Sequence, residues 1–336
     1  MTTSTDPILA LLDQYGIRQR RMVTNGVELD VLGSGPDNGP LIVLSHGFPE
    51  LAWSWRHQLR ALGEAGWHAI APDQRGYGRS SQPTEVSQYA SEHLCADLLG
   101  LVDQIAGPGK PAVFVGHDWG AFVVWDLART HPERVRALVN LSVPFVDWPA
   151  PPTDIFKMVN GDNFFYILHF QPVGVAETDM NAHVEPIIRG LLWGGSGEGF
   201  PAEVATPLPM AGTDFMTGFR LAADPTQPTW ISDADVAVYL DRFNHSGFFG
   251  PVSWYRNLDR NHAQVSPYPI AAMTMPVWFI GGTKDGVIAR DASFETRNQL
   301  VPGYRSMTMI EGAGHWTQQE RPDEVNAALL TYLSEL

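Results

Sequence analysis

The sequence predicts an α/β protein: a mostly parallel sheet flanked by helices and interrupted by a helical insertion. Three observations carry this. Short, wholly apolar runs alternate with helix-periodic segments through the first ~145 residues, the mark of βαβ units. The strand pattern lapses between about 147 and 265. Apolar runs then return ahead of an amphipathic C-terminal helix.

In order, LIVLSHG (41–47) and HAIAPD (68–73) read as buried strands, and SWRHQLRALGEAG between them presents one apolar helix face. SEHLCADLLGLVDQI carries apolar residues at helical spacing. PAVFVG (111–116) is another buried strand, which runs through a glycine-flanked turn into the helical AFVVWDLARTHPERV; RALVNLSVP (136–144) follows as a strand. The next segment opens on the loop-like VDWPAPPTD, is rich in Pro, Gly, Met and aromatic residues, and holds helical pieces without strand alternation. MPVWFIGGTKD (275–285) and SMTMIEGAGH (306–315) restore strand character before the closing helix RPDEVNAALLTYLSEL. The expected organisation is a first core part over 1–146, a helical cap over 147–265 and a second core part over 266–336.

At 336 residues, 44% hydrophobic and 18% charged, the chain can bury a large core and falls outside the disordered, collagen-like and disulfide-dense classes. A net charge of −15, with no run of Lys or Arg, argues against a nucleic-acid partner. The lone Cys95 has no disulfide or zinc partner and reads as a small core residue. The histidines are scattered without HExxH spacing, and Gly76-Tyr77-Gly78 lacks the third glycine of a dinucleotide loop, so neither metal nor cofactor is expected. The N-terminus lacks the basic start and apolar core of a signal peptide, and no run approaches the ~18 apolar residues of a membrane span; a cytoplasmic location is expected.

VGHDWGAF (115–122) is the most informative stretch. A strand passing into a helix through Gly116-His117-Asp118-Trp119-Gly120 has the form of a nucleophile elbow, with Asp118 as nucleophile. A simple helix N-cap is the alternative reading of Asp118. A carboxylate attacks saturated carbon and leaves an alkyl ester that water can cleave, which points to opening of a strained ring or displacement of a halide. Hydrolysis of that ester needs a base and donors for an oxyanion. His315 after the last strand supplies the base, and Asp285 after the preceding strand orients its imidazole. The backbone N–H groups of Phe48, in HGFP, and of Trp119 supply the oxyanion donors.

Taken together, HGFPE, DQRGYGRSS, GHDWGA, GGTKD and GHWTQQERP resemble the α/β-hydrolase-fold epoxide hydrolases of the soluble, cap-containing type, from about residue 20 onward. The resemblance implies the α/β-hydrolase fold. It continues through NFFYILHFQ and GFFGPVSWYRNLDRN, and implies that Tyr166 and Tyr255 donate hydrogen bonds to the epoxide oxygen. The chain departs from the family pattern at HFQPVG, where FQEPG is common, and at His169, where an aromatic is common. His169, three residues from Tyr166, shares its helix face and is expected with His46, Phe48 and Trp119 to line the substrate site.

The expected function is therefore a cofactor-independent epoxide hydrolase that takes a small apolar epoxide and water, with Asp118, Asp285, His315, Tyr166 and Tyr255 as catalytic groups. A haloalkane dehalogenase using the same triad and a non-catalytic ligand-binding protein of the same fold are the alternatives. The oligomeric state, a homodimer included, is left open.

Overall fold

The computed structural model describes residues 6–200, 208–222, 224–289, 291 and 293–336. The strands are β1 (Arg18–Thr24), β2 (Val27–Ser34), β3 (Leu41–Ser45), β4 (His68–Asp73), β5 (Ala112–His117), β6 (Val135–Leu141), β7 (Val277–Gly282) and β8 (Tyr304–Ile310). Among the described residues they form one sheet in the order β1-β2-β4-β3-β5-β6-β7-β8. β2 runs antiparallel to β1 and β4, and every pairing from β4 across to β8 is parallel. α1 (Leu9–Tyr15) precedes the sheet; α2 (Arg56–Glu64), α3 (Ser91–Ala106) and α4 (Trp119–Thr130) connect its first strands. Among the described residues, eight α-helices lie between β6 and β7: α5 (Pro152–Asn160), α6 (Tyr166–His169), α7 (Val175–Ala182), α8 (Val184–Gly194), α9 (Phe215–Phe219), α10 (Asp233–Ser246), α11 (Phe249–Arg256) and α12 (Leu258–Val265). α13 (Phe294–Asn298) precedes β8, and α14 (Thr317–Glu320) and α15 (Pro322–Leu333) close the chain.

The chain is an α/β-hydrolase fold. β3, β4, β5 and β7 are buried along their whole length, which is why their sequences are continuous apolar runs rather than alternating ones. The β1–β2 hairpin has no counterpart in the sequence reading, which starts its strands at 41. β1 is an edge strand, RQRRMVT, with most side chains exposed, so it shows no apolar alternation. Its turn was readable: Asn25 and Gly26 have φ of 46° and 77°, the double positive φ of a type I′ hairpin.

This topology brings the carboxyl ends of the parallel strands to one edge, where ligands of open α/β sheets bind. β3 leads into His46 to Phe48, β5 into Asp118, β7 toward Asp285 and β8 toward His315. The helical insertion is tied to this edge at both of its connections by one side chain of α4. Arg129 pairs with Asp147 on the outgoing connection at 2.8 Å and donates to the carbonyls of Tyr268 (2.7 Å) and Ser266 (3.1 Å) on the returning one.

α4 crosses the end of β3 so closely that only glycine fits at Gly120. A Cβ there would stand 2.0 Å from the Ser45 carbonyl oxygen, whereas a Cβ at Gly194 in α8 would meet nothing within 4 Å. Gly120→Ala is therefore expected to destabilise the protein by about 1–3 kcal/mol, with Gly194→Ala within about 1 kcal/mol of the parent. Urea denaturation of both variants checks the contrast.

Candidate active site

Asp118 occupies the first position before α4 with φ 52° and ψ −119°, a conformation that costs a non-glycine residue about 1–3 kcal/mol. The surrounding glycines make it possible. Besides Gly120, a Cβ at Gly116 would lie 2.5 Å from the Gly120 carbonyl oxygen, and one at Gly47 would lie 2.3 Å from Asp118 Cβ. The side chain of Asp118 makes no cap hydrogen bond to α4. Its carboxylate is turned the other way. Oδ1 accepts the Phe48 N–H at 2.7 Å, and Oδ2 lies 3.4 Å from His315 Nε2. The other sequence-predicted donor, the Trp119 N–H, belongs to the first turn of α4, whose amides have no intrahelical partner and whose dipole favours an anion.

His315 is fixed from behind. Its Nδ1 lies 3.0 and 3.2 Å from the two oxygens of Asp285, which is fully buried and also accepts the Val287 N–H at 2.9 Å. Burial disfavours an imidazolium here, but the Asp285 and Asp118 carboxylates outweigh it and hold His315 well above its ordinary 6.5. Burial likewise works to raise the Asp118 carboxyl, but the His315 hydrogen bond and charge, aided by His117 and the Phe48 N–H, bring it below the usual carboxylate value. The resting pair is thus carboxylate and imidazolium.

Two phenols from the helical insertion stand over this pair. Tyr166 opens α6 and Tyr255 lies in α11, their rings 5.6 Å apart and nearly perpendicular. Tyr255 also packs edge-on against Trp119 (4.9 Å) and Phe48 (5.5 Å). Burial raises the proton affinity of both phenols, and the Asp118 charge raises it further. Neither phenol is therefore expected to ionise at moderately alkaline pH.

The α/β-hydrolase fold family matches residues 40–164 of this chain. The chain is 42% identical to epoxide hydrolase A of Mycobacterium tuberculosis over 319 residues, covering 95% of this chain and 98% of that one. Epoxide hydrolase 1 of Siraitia grosvenorii is 34% identical, over 95% and 99% of the two chains. The crystal structure of epoxide hydrolase A from Mycobacterium thermoresistibile superposes with a TM-score of 0.85 at 41% identity, over 95% and 98% of the chains. The chain belongs to the α/β-hydrolase-fold epoxide hydrolases.

In this epoxide hydrolase His46 and His169, both expected to line the substrate site, have protein partners of their own. His46 is fully buried: Nε2 accepts the Gln74 N–H at 3.1 Å, so Nδ1 carries the proton and donates to the Gly47 carbonyl at 2.9 Å. That carbonyl belongs to the same peptide unit as the Phe48 N–H, so His46 helps to fix the plane of the peptide whose N–H meets Asp118 Oδ1. The reason is chemical: an unprotonated ring, held down to about 4 by burial, bridges two backbone groups. The His169 ring packs against Phe164 (5.3 Å) and Phe215 (6.4 Å), and its contacts with these rings do not include Asp118, His315 or either phenol. A helix of four residues gives positions three apart no guarantee of a common partner. Trp53 and Trp55 are core residues, while Trp119 adjoins the nucleophile.

The sequence reading missed the support beneath the imidazole. His117 and Glu50 are both fully buried, with Nδ1 and Oε2 2.5 Å apart; His117 Nε2 donates to the His315 carbonyl at 2.7 Å, which also accepts from Ser142 Oγ at 3.1 Å. Both residues stood inside the motifs HGFPE and GHDWGA, and a charged residue beside a predicted oxyanion turn was the available signal.

Because Asp118 is one of the two anions that raise His315, its neutralisation must lower the proton affinity of the imidazole. In Asp118→Asn the His315 ring is expected to titrate at lower pH than in the parent, measured by NMR of the histidine ring resonances. An unchanged titration would remove Asp118 from the electrostatics of His315.

Proposed function

We propose that this protein hydrolyses epoxides to vicinal diols through an ester on Asp118. The observation that carries the reading is the placement of the Asp118 carboxyl between the Phe48 N–H and His315, with the Tyr255 ring against the adjoining Trp119 and Tyr166 beside it. Oδ2, the oxygen without a backbone donor, attacks a ring carbon; the C–O bond breaks and its electron pair stays on oxygen. Tyr166 and Tyr255 hydrogen-bond that oxygen, and it gains a proton ultimately matched by the one His315 gives up. Esterification removes the Asp118 charge, which releases the imidazole to its basic form at the moment a base is needed. His315 then takes a proton from water as the hydroxide adds to the ester carbonyl, whose oxygen Oδ1 already faces the Phe48 N–H. Collapse of the tetrahedral anion expels the diol and restores carboxylate and imidazolium.

Halide displacement is the less suited chemistry. The Phe48 side chain has no donor for a departing anion, and the Trp119 indole is engaged with the Tyr255 phenol.

Replacing the base should separate the two steps. His315→Gln, incubated with styrene oxide, is expected to accumulate an adduct on the peptide containing Asp118 by mass spectrometry, and Asp118→Ala to lose turnover. An adduct elsewhere would overturn the assignment of the nucleophile.

The phenols are tested by rate. Tyr166→Phe and Tyr255→Phe are each expected to lose roughly 10-fold or more in ring opening, and the double variant well over 10²-fold. Diol formation from styrene oxide, set against bromide release from 1-bromobutane by the parent, decides between epoxide and halide chemistry.

A further inference from the structure

We infer that Gln319 is a positioning residue that couples the seating of α10 in the helical insertion to the placement of the catalytic His315. This inference rests on the ester mechanism above. Gln319 lies in α14 with its side chain buried, and each end of its amide is locked by a partner of one polarity. Its Oε1 accepts from Arg56 at 2.7 Å, and a guanidinium can only donate; its Nε2 donates to Glu50 Oε1 at 2.9 Å, and a carboxylate can only accept. The amide therefore cannot flip without breaking charge-assisted bonds at both ends.

On one side the chain of contacts continues into the insertion. Arg56 Nε lies 3.1 Å from Asp235 Oδ1, an ion pair in which both side chains are at least nine-tenths buried. Asp235 sits in the first turn of α10, where it also accepts the Trp53 indole N–H at 2.8 Å and closes a capping box with Ser232. Tyr239, one turn further along α10, places its hydroxyl 3.1 Å from Gln319 Nε2. On the other side, Glu50 meets His117, whose Nε2 donates to the His315 carbonyl. Gln318 adds a second amide to Glu50 Oε1 at 3.0 Å.

The chain ends on the loop that carries the base, and none of its hydrogen bonds reaches the Asp118 carboxylate. Asp118 takes its position from its own elbow and Phe48, and its charge in part from His315. Cutting the chain should therefore slow ester hydrolysis, which needs the imidazole aimed at water, more than ring opening, which needs only its charge nearby, a split that general loss of packing does not produce.

Gln319→Met keeps the volume and deletes both polar contacts. With styrene oxide in rapid-quench single turnovers, followed by mass spectrometry of the Asp118 peptide, ester formation is expected within about 3-fold of the parent and ester decay slowed 10-fold or more. Asp235→Asn, which changes only the far end, is expected to slow decay in the same direction and to add nothing when combined with Gln319→Met, as members of one series should behave. Parental decay in Gln319→Met, or equal losses in formation and decay, overturns the inference. Should Gln319→Met fail to fold, parental decay in Asp235→Asn overturns it alone. If no ester forms on Asp118 even in His315→Gln, the mechanism itself falls and this coupling with it, an outcome distinct from an ester that forms and decays normally.

Discussion

The rest of the site depends on keeping one carboxylate charged inside a buried edge of the protein. Removing an ion from water costs several kcal/mol, and a lone buried Asp would pick up a proton instead. The fold answers with three contributions from separate parts of the chain: a backbone N–H after β3, the start of α4, and an imidazolium after β8. Each is available only because parallel strands deliver their loops to the same edge. The strained backbone at Asp118 is the local cost of presenting the carboxylate to all three, and tight glycine packing is what holds it there.

The same balance gives the site its timing. His315 owes its raised proton affinity to two anions, of which only Asp285 is permanent. A reaction that neutralises the other changes the base without moving an atom of protein. The phenols behave oppositely: burial and the same Asp118 charge keep them protonated, so they serve as donors and never as bases. One negative charge thus bears on three side chains.

How much of this was legible in the sequence follows the physics of each feature. The elbow and the order Asp118, Asp285, His315 were readable because continuous apolar strands announce themselves and each residue stands just beyond one. The hairpin at β1 and β2 was not, because an exposed edge strand carries charged residues on both faces and only its Asn-Gly turn speaks for it. The backbone bonds of His46 were not readable: residue type and spacing give proximity to a site, but not which way a ring turns to satisfy two backbone groups. Glu50, His117 and Gln319 stood inside quoted motifs, but their roles were not read for a related reason. Each is a polar residue whose burial comes from elements distant in the chain, so its motif marks its presence and not its partners. The spacing argument for His169 rests on a helix of a single turn, too short for its periodicity to fix a common face.

Arg129 fastens both connections of the insertion to α4, the helix whose first residue follows the nucleophile. The frame that carries Tyr166 and Tyr255 is thereby referenced to the same helix as Asp118. For recombination of such proteins, in nature or by grafting, the exchangeable unit is then the helical insertion together with Asp147 and the 266–268 turn. A graft that imports the helices without those anchors would carry the phenols but lose their registration against the nucleophile.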